Sequence, residues 1–294
     1  MKGLILTNAY YDTPATRYQS ERIHKELKLR GVDAEIRKND GFAAGISGGN
    51  LVRITGYDFC VYLDKDKYAA RALESSGVRL FNCREAIEIC DDKALTFIAL
   101  AGKGVPMPTT LPGLLCYEPK AEISPLTAAY IGGKLGFPLV VKESYGSLGK
   151  GVHLAKNLDE LTALMERLKC VPHLYQKFIA ESAGTDLRVT VVGGRAIAAM
   201  KRISAGDFRS NIGLGGRGEK YEIDNDLRAL CERVARLIKL DYCGIDILPS
   251  KEGYQLCEVN SNAFFGGTEE ATGVNVAGAY ANHIVEEMKR GGGH

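Results

Sequence analysis

The chain has 294 residues, with 38 Lys and Arg against 36 Asp and Glu and a net charge of +2. That balance leaves no bulk charge with which to capture nucleic acid or an acidic membrane. The 45% hydrophobic and 25% charged fractions exclude disorder, collagen and coiled coil. No apolar run reaches the roughly 20 residues of a bilayer span, and the run Met1 to Thr7 is too short for a signal peptide. Eight cysteines, none in a C-x-x-C pair and most inside apolar runs, read as reduced thiols of a cytoplasmic protein.

The predicted elements begin with an apolar strand over Gly3 to Asn8. Thr16 and Gln19 have capping-box spacing and predict a helix from there to Arg30, stopped by Gly31. Val32 to Ile36, Phe59 to Leu63 and Val78 to Phe81 read as further strands, with a helix over Tyr68 to Ser75. This alternation predicts a doubly wound parallel sheet in 1–90. Five of the nine prolines fall between 104 and 125, which marks a connection. Ser124 and Pro125 then open a helix that Gly136 closes, Phe137 to Glu143 is an apolar strand, and Asn157 caps another helix. Strands are predicted at 188–201 and 254–259. Between them, Leu227, Leu230, Cys231, Val234, Leu237 and Ile238 share one helix face. The terminal Gly291 to His294 reads as a disordered tail.

Gly45-Ile46-Ser47-Gly48-Gly49 fits G-x-S-x-G, but no strand leads into it, so a glycine loop is the better reading than a nucleophile elbow. Gly146-Ser147-Leu148-Gly149-Lys150-Gly151 lies between two strand-like runs, as a hairpin turn whose bare N–H groups can cover phosphates. Lys142, at the end of the preceding strand, is either a snorkelling surface lysine or a phosphate clamp. Asp246, Glu258 and Asn260 lie in apolar strands, the last two on one face. Carboxylates so placed need a partner. Mg²⁺ suits two carboxylates and an amide oxygen, and an ion pair with an Arg is the alternative. Between Arg188 and Lys220 seven basic residues face two acids, within a glycine-rich loop suited to anions.

The runs Cys90-Asp-Asp-Lys93, Pro138-Leu-Val-Val-Lys142, Gly146 to Gly151, Gln176-Lys-Phe-Ile179, Asp186-Leu-Arg188, Asp207-Phe-Arg-Ser-Asn211, Gly244-Ile-Asp246 and Glu258-Val-Asn260 occur in one order. Together they resemble the ATP-grasp superfamily, most closely its RimK-like branch, over about 80–291. The resemblance implies an α/β ATP-grasp fold in three parts: a pre-ATP-grasp domain over 1–90, a central subdomain with the lid loop over 91–172, and a C-terminal subdomain with the metal site over 173–291. It implies ATP with one or two Mg²⁺, or Mn²⁺ in their place. Lys93, Lys142, Gly146, Ser147 and Gly149 would hold the phosphates. Gln176, Lys177, Phe178 and Ile179 would form the hinge beside adenine, and Asp186 would bind ribose. Asp246, Glu258 and Asn260 would hold the metal. Arg209, with Arg202, would stabilise an acyl phosphate, and Ser210 and Asn211 would line the nucleotide end. Lys177 replaces a frequent acid, Lys201 replaces an acid of the ribosomal-protein-modifying branch, and Ser261 to Gly267 lacks a common proline, so the acceptor side differs.

The activity implied is ADP-forming ligation of a carboxylate, activated as acyl phosphate, to the amine of an amino acid, peptide or carrier protein. Such an enzyme would be a cytoplasmic homo-oligomer, with no nucleic-acid or membrane partner. A non-catalytic ATP-binding regulator on the same fold and a D-alanyl-type peptide ligase are the alternatives. The loop Ala9 to Ser20 is either plain surface or a substrate contact.

Overall fold

The computed structural model describes residues 1–41, 45–147, 149–204, 206–210 and 216–291. Leu148, Asn211 and the tail residues 292–294, all invoked above, lie outside the described residues. The first part alternates strand and helix: β1 (Lys2–Thr7), α1 (Pro14–Leu29), β2 (Asp33–Lys38), the short hairpin β3 (Ile46–Ser47) and β4 (Asn50–Leu51), β5 (Phe59–Leu63), α2 (Lys67–Ser75) and β6 (Arg79–Phe81). The pairs β2-β1, β1-β5 and β5-β6 are all parallel, in the order β2-β1-β5-β6. Ser47 sits exposed in the β3-β4 hairpin, with Gly48 and Gly49 at positive φ, so the G-x-S-x-G run is a tight turn and no elbow.

The first helix starts earlier than its capping-box spacing predicts. Thr13 is the N-cap and Pro14 the first helical residue. Thr16 N donates to Thr13 Oγ1 at 3.2 Å while Thr13 N donates to Thr16 Oγ1 at 2.8 Å. Pro14 decides the register, because its fixed φ and missing N–H suit the first helical position. Gln19, freed from capping, is buried and donates to the Ala263 carbonyl at 3.0 Å.

Helices α3 (Arg84–Asp91) and α4 (Lys93–Leu100) follow, then β7 (Thr110–Pro112), α5 (Pro125–Leu135), β8 (Leu139–Glu143), β9 (Val152–Ala155), α6 (Leu158–Leu168) and β10 (His173–Lys177). The second sheet has the order β7-β10-β8-β9 and is antiparallel throughout. Because β10 belongs to it, the change of sheet falls after Lys177, one strand later than residue 172. Asn157 caps α6 as expected, accepting from Glu160 N at 2.9 Å. Helices α5 and α6 cover one face through Ile131, Leu135, Leu161 and Met165.

The third sheet is also antiparallel, in the order β13-β12-β11-β14-β15. It comprises β11 (Thr185–Val192), β12 (Arg195–Ile203), β13 (Arg217–Lys220), β14 (Tyr242–Ser250) and β15 (Gly253–Asn260). Helix α7 (Asn225–Ile238) lies between β13 and β14, and α8 (Gly266–Thr272) and α9 (Val276–Gly291) close the chain. The face of α7 read from the sequence packs on this sheet, burying Leu227, Leu230, Val234 and Ile238 against Val189, Ile245 and Val259. Each such side chain contributes about 1.5–3 kcal/mol. Cys90 and Leu100, from α3 and α4, join this core rather than that of the second sheet. Helix α9 packs with α1 in a core that includes Ile23, Leu27, Tyr280 and Ile284. Among the described residues no helix is long and apolar enough to cross a membrane.

Candidate active site

One face of the third sheet is apolar and covered by α7. Alternation sends the intervening side chains to the other face, and these are charged. Asp186 stands opposite Arg202 on β12, and Arg188 opposite Asp246 on β14. Asp246 stands opposite Glu258, and Gly244 opposite Asn260, on β15. This polar face and the second sheet enclose a cleft of about 810 Å³.

The second sheet supplies Val140 and Lys142 of β8, two residues apart and so on one face, together with Val152 and Gln176. Lys142 is only 7% exposed, which sets aside a snorkelling surface lysine. Its Nζ lies 3.7 Å from Cys257 Sγ. Cys257 faces the cleft because the β14–β15 register shifts between Asp246 and Ile247. Burial pushes its thiol up to about 11 despite Lys142, so it is no nucleophile at neutral pH.

The predicted hairpin forms: Gly146, Ser147, Gly149, Lys150 and Gly151 join β8 to β9. Lys93 is the first residue of α4, capped by Asp92, whose Oδ1 accepts from Ala94 N at 2.9 Å. Lys93 Nζ donates to the Gly146 carbonyl at 2.9 Å and stands 3.6 Å from Glu258 Oε1. From the opposite side, Arg209 Nη1 donates to the Gly149 carbonyl at 2.8 Å, with Asp207 accepting from its Nε and Nη2.

At the far end, Gln176 is buried and donates to Thr110 Oγ1 at 2.9 Å. Lys177 N donates to the Thr109 carbonyl, and its side chain is exposed at the cleft. Phe178 and Ile179 line the cleft, with the Phe178 ring edge-on to Phe208 at 6.4 Å. Val140, inside the Pro138 to Lys142 run, completes an apolar wall with Val152 and Leu248, which the sequence motifs omit. Its signal was alternation, since Leu248 stands two residues after Asp246 and Val140 two before Lys142.

The structure alters the reading of three charged residues. Asp186 is not left open for a ribose: Arg202 clasps it at 2.6 and 2.5 Å, and Ser210 hydrogen-bonds it. Arg202 is 5% exposed, lines the cleft and also reaches Asp246 Oδ2 at 2.9 Å, so two buried carboxylates share its charge. Asp246 is gripped by Arg188, with Nη2 to Oδ2 at 2.8 Å and Nε on Oδ1. The ion-pair alternative weighed for a buried carboxylate is therefore realised at Asp246. Burial works to raise its carboxyl, and Arg188 and Arg202 outweigh it, so Asp246 sits below the ordinary range. Asp186 goes up, through burial and then Asp246, despite Arg202. Gly244 makes room for this grip: a Cβ there would lie 2.9 Å from Arg188 Cδ and 2.5 Å from Ala263 Cβ.

Among the described residues no three His, Cys, Asp or Glu side chains converge as a metal cluster. The set Asp246, Glu258 and Asn260 does suit Mg²⁺. Mg²⁺ takes one or two carboxylates and completes its shell with phosphates and water. Three N–H donors occupy Asp246, whose two oxygens offer about four acceptor positions. Among the described residues, Glu258 carries only the loose ion-pair contact to Lys93, and Asn260 Nδ2 is buried without a partner. Asn260 lies just beyond the cleft lining, and Asn211 lies outside the described residues.

Two antiparallel sheets closing on a lysine- and arginine-ringed cleft under a glycine hairpin, beside a parallel N-terminal sheet, define an ATP-grasp ligase. Residues 90–284 match the model of the RimK-like ATP-grasp domain. The chain belongs to that family, and it is an ATP-dependent enzyme that joins a carboxylate to an amine. ATP-grasp ligases work with ATP and Mg²⁺. The chain is 37% identical over 290 residues to N-acetylaspartylglutamate synthase A of Homo sapiens, covering 91% of this chain and 73% of that one. It is 37% identical over 296 residues to Beta-citrylglutamate synthase B of Homo sapiens, covering 93% and 75%. Its fold is similar to that of the ATP-grasp ligase PsnB, solved with minimal precursor, Mg and ADP, at a TM-score of 0.70, 18% identity and 98% coverage of both chains.

Proposed function

We propose that this ligase joins the carboxylate of a small polycarboxylate or N-acyl amino acid to the amino group of glutamate. Both relatives are named for products that end in glutamate and differ in the acyl part, which supports glutamate as the shared amine. The observation that carries the reading is the cleft itself, where Lys93, Lys142 and Arg209 ring the glycine hairpin opposite Asp246 and Glu258.

Lys93 and Lys142 hold the transferring phosphoryl group, and Arg209 brings the third positive charge to it. Phosphoryl transfer asks for such positioning and charge neutralisation rather than a protein nucleophile, and the only thiol lining the cleft is protonated. Glu258 and Asn260, with the remaining acceptor position of Asp246, would hold Mg²⁺, one or two ions, which would supply positive charge to the phosphates. Arg202 and Arg188 keep Asp246 ionised and in place. Phe178, Ile179 and Leu248 take the adenine. Lys177 meets it through its backbone, and Ser147 adds a hydroxyl donor along the phosphates, while Ser210 lines the cleft with its hydroxyl on Asp186.

The acceptor side is the cleft of about 620 Å³ at Thr7, Asn8, Tyr11, Arg17 and Lys38, above the C-terminal edge of the parallel sheet. Ligands of open α/β sheets bind outside the carboxyl ends of the strands, and this cleft lies at those of β1 and β2. The same loop leads to Tyr18, which donates to Glu269 Oε2 at 2.7 Å, joining it to α8 just beyond the metal-binding strand.

The test measures ADP and phosphate release across a panel of carboxylates and amines. ADP formation that requires both an acyl polycarboxylate and L-glutamate supports the reading. A requirement for D-alanine, or ADP formation indifferent to any amine, overturns it.

A further inference from the structure

Two thiols stand beside each other where the chain leaves β7. Pro112 of β7 lies opposite Leu174 of β10. Beyond both strands the two segments stay side by side: Gly113 N donates to the His173 carbonyl at 2.8 Å and Cys116 N to the Lys169 carbonyl at 3.0 Å. Lys169 is helical at the end of α6, so the strand register does not carry through, and the second bond seats Cys116 on the peptide that joins Lys169 to Cys170. A residue bonded to the carbonyl just before another lies about within reach of a disulfide, whose Cα atoms stand roughly 4.4–6.8 Å apart. The two side chains also meet. Cys170 is exposed and Cys116 half-buried, whereas Cys60, Cys90, Cys231 and Cys243 are sealed in the interior.

We propose that Cys116 and Cys170 form a dithiol site that a low-molecular-weight disulfide oxidises reversibly to an intramolecular disulfide. The exposed Cys170 thiolate attacks one sulfur of the small disulfide, forming a mixed disulfide and releasing the first small thiolate. The Cys116 thiolate then attacks the Cys170 sulfur and releases the second. The two thiol protons pass to the two leaving thiolates. The two electrons given up by the cysteine pair reduce the small disulfide to two thiols.

The groups around the pair fit this exchange. The Cys116 thiol donates to the Glu118 carbonyl at 3.0 Å. Lys169, held by the Ala121 carbonyl and Glu166, supplies a positive charge beside Cys170. Partial desolvation, then Cys116, still push the Cys170 thiol up, so the exchange speeds as pH rises. The new bond would bracket the whole segment from 116 to 170, which carries Lys142 and the glycine hairpin. That gives the nucleotide cleft a redox-sensitive anchor outside itself.

The experiment incubates the full chain with oxidised glutathione and maps its peptides without reduction. The expected product links the peptides of Cys116 and Cys170, has lost two hydrogens, carries no glutathione and is reversed by dithiothreitol. Cys116→Ser should leave glutathione trapped on Cys170, and Cys83→Ser should change nothing. Glutathione retained on Cys170 of the unaltered chain with Cys116 free, or Cys170 linking two chains, overturns the proposal.

Discussion

Arg209 and Gly149 join the two halves of the cleft through one hydrogen bond of 2.8 Å, from Nη1 to the carbonyl oxygen. The rest of the guanidinium is fixed by Asp207, and the Phe208 carbonyl accepts from Gly184 N at 2.9 Å, so the latch is braced against the third sheet. The glycine hairpin is thereby held over the cleft by a side chain that also brings charge to it.

Arg209→Ala should release the hairpin and remove that charge together. The expected result is faster amide exchange across Gly146 to Gly151 and a fall in kcat of about 10²–10³-fold. Arg209→Lys should not rescue it, because a lysine cannot hold Asp207 and the Gly149 carbonyl in one planar fork. Unchanged exchange and turnover in Arg209→Ala would remove both roles.

Arg188→Met tests the grip on Asp246. It leaves a fully buried carboxylate with Arg202 alone, and removing one partner of a buried pair costs about 3–5 kcal/mol. Urea unfolding at neutral pH should show a loss of that order. A loss below about 1 kcal/mol, the range of surface pairs, would mean that Arg202 alone satisfies Asp246.

Much of this site was legible in the sequence where the signal is local. The glycine hairpin, the Asn157 cap and the apolar face of α7 depend on neighbours within a few residues, and all three formed. Partner choice across a sheet is not local. Arg188 and Asp246 are 58 residues apart and meet only because β11 and β14 pair in that register. Composition reveals a basic excess near Arg188 but not that two of its members are spent on Asp186 and Asp246. Cys257 reaches the cleft through a register shift between β14 and β15 that no periodicity announces. Thr13 was missed as a cap because the Thr16–Gln19 spacing competes with it, and Pro14 settles the choice.

Glu26 gives a prediction in pH. It is buried between α1 and α9, where Asn275 Nδ2 donates to it at 2.8 Å and Arg30 at 2.7 Å, with Arg22 at 3.3 Å. The Asn275 hydrogen bond, then the arginines against the opposing effect of burial, hold its carboxyl below the usual range. A carboxyl lowered by folding contributes stability that is present above its unfolded value and lost as pH falls through the folded one. Glu26→Gln should therefore destabilise by about 1–3 kcal/mol near neutrality. The gap between the two proteins should narrow in melts toward pH ~3. A gap independent of pH would show that Glu26 acts by shape alone.

Glu258→Gln separates a metal ligand from a structural carboxylate. Glu258 stands opposite Asp246, is only partly covered, and has Lys93 at 3.6 Å as its one ion-pair contact among the described residues. A contact that long on a partly exposed group is worth about 1 kcal/mol or less, so the melting temperature should barely move. The amide keeps size and hydrogen bonding but removes the charge that would meet Mg²⁺ between the phosphates. ATP should still bind within a few-fold, since the adenine wall is untouched. Turnover should fall about 10²-fold or more, as when a strong electrostatic stabiliser of phosphoryl transfer is lost. The Mg²⁺ concentration needed for half-maximal ADP release should rise, which a purely structural role would not produce. Titrating Mg²⁺ against ADP release beside a thermal melt reads both quantities. Full activity at unchanged Mg²⁺ demand would take Glu258 out of the metal site, whereas a lowered melting temperature with normal turnover would make it a strut for Lys93.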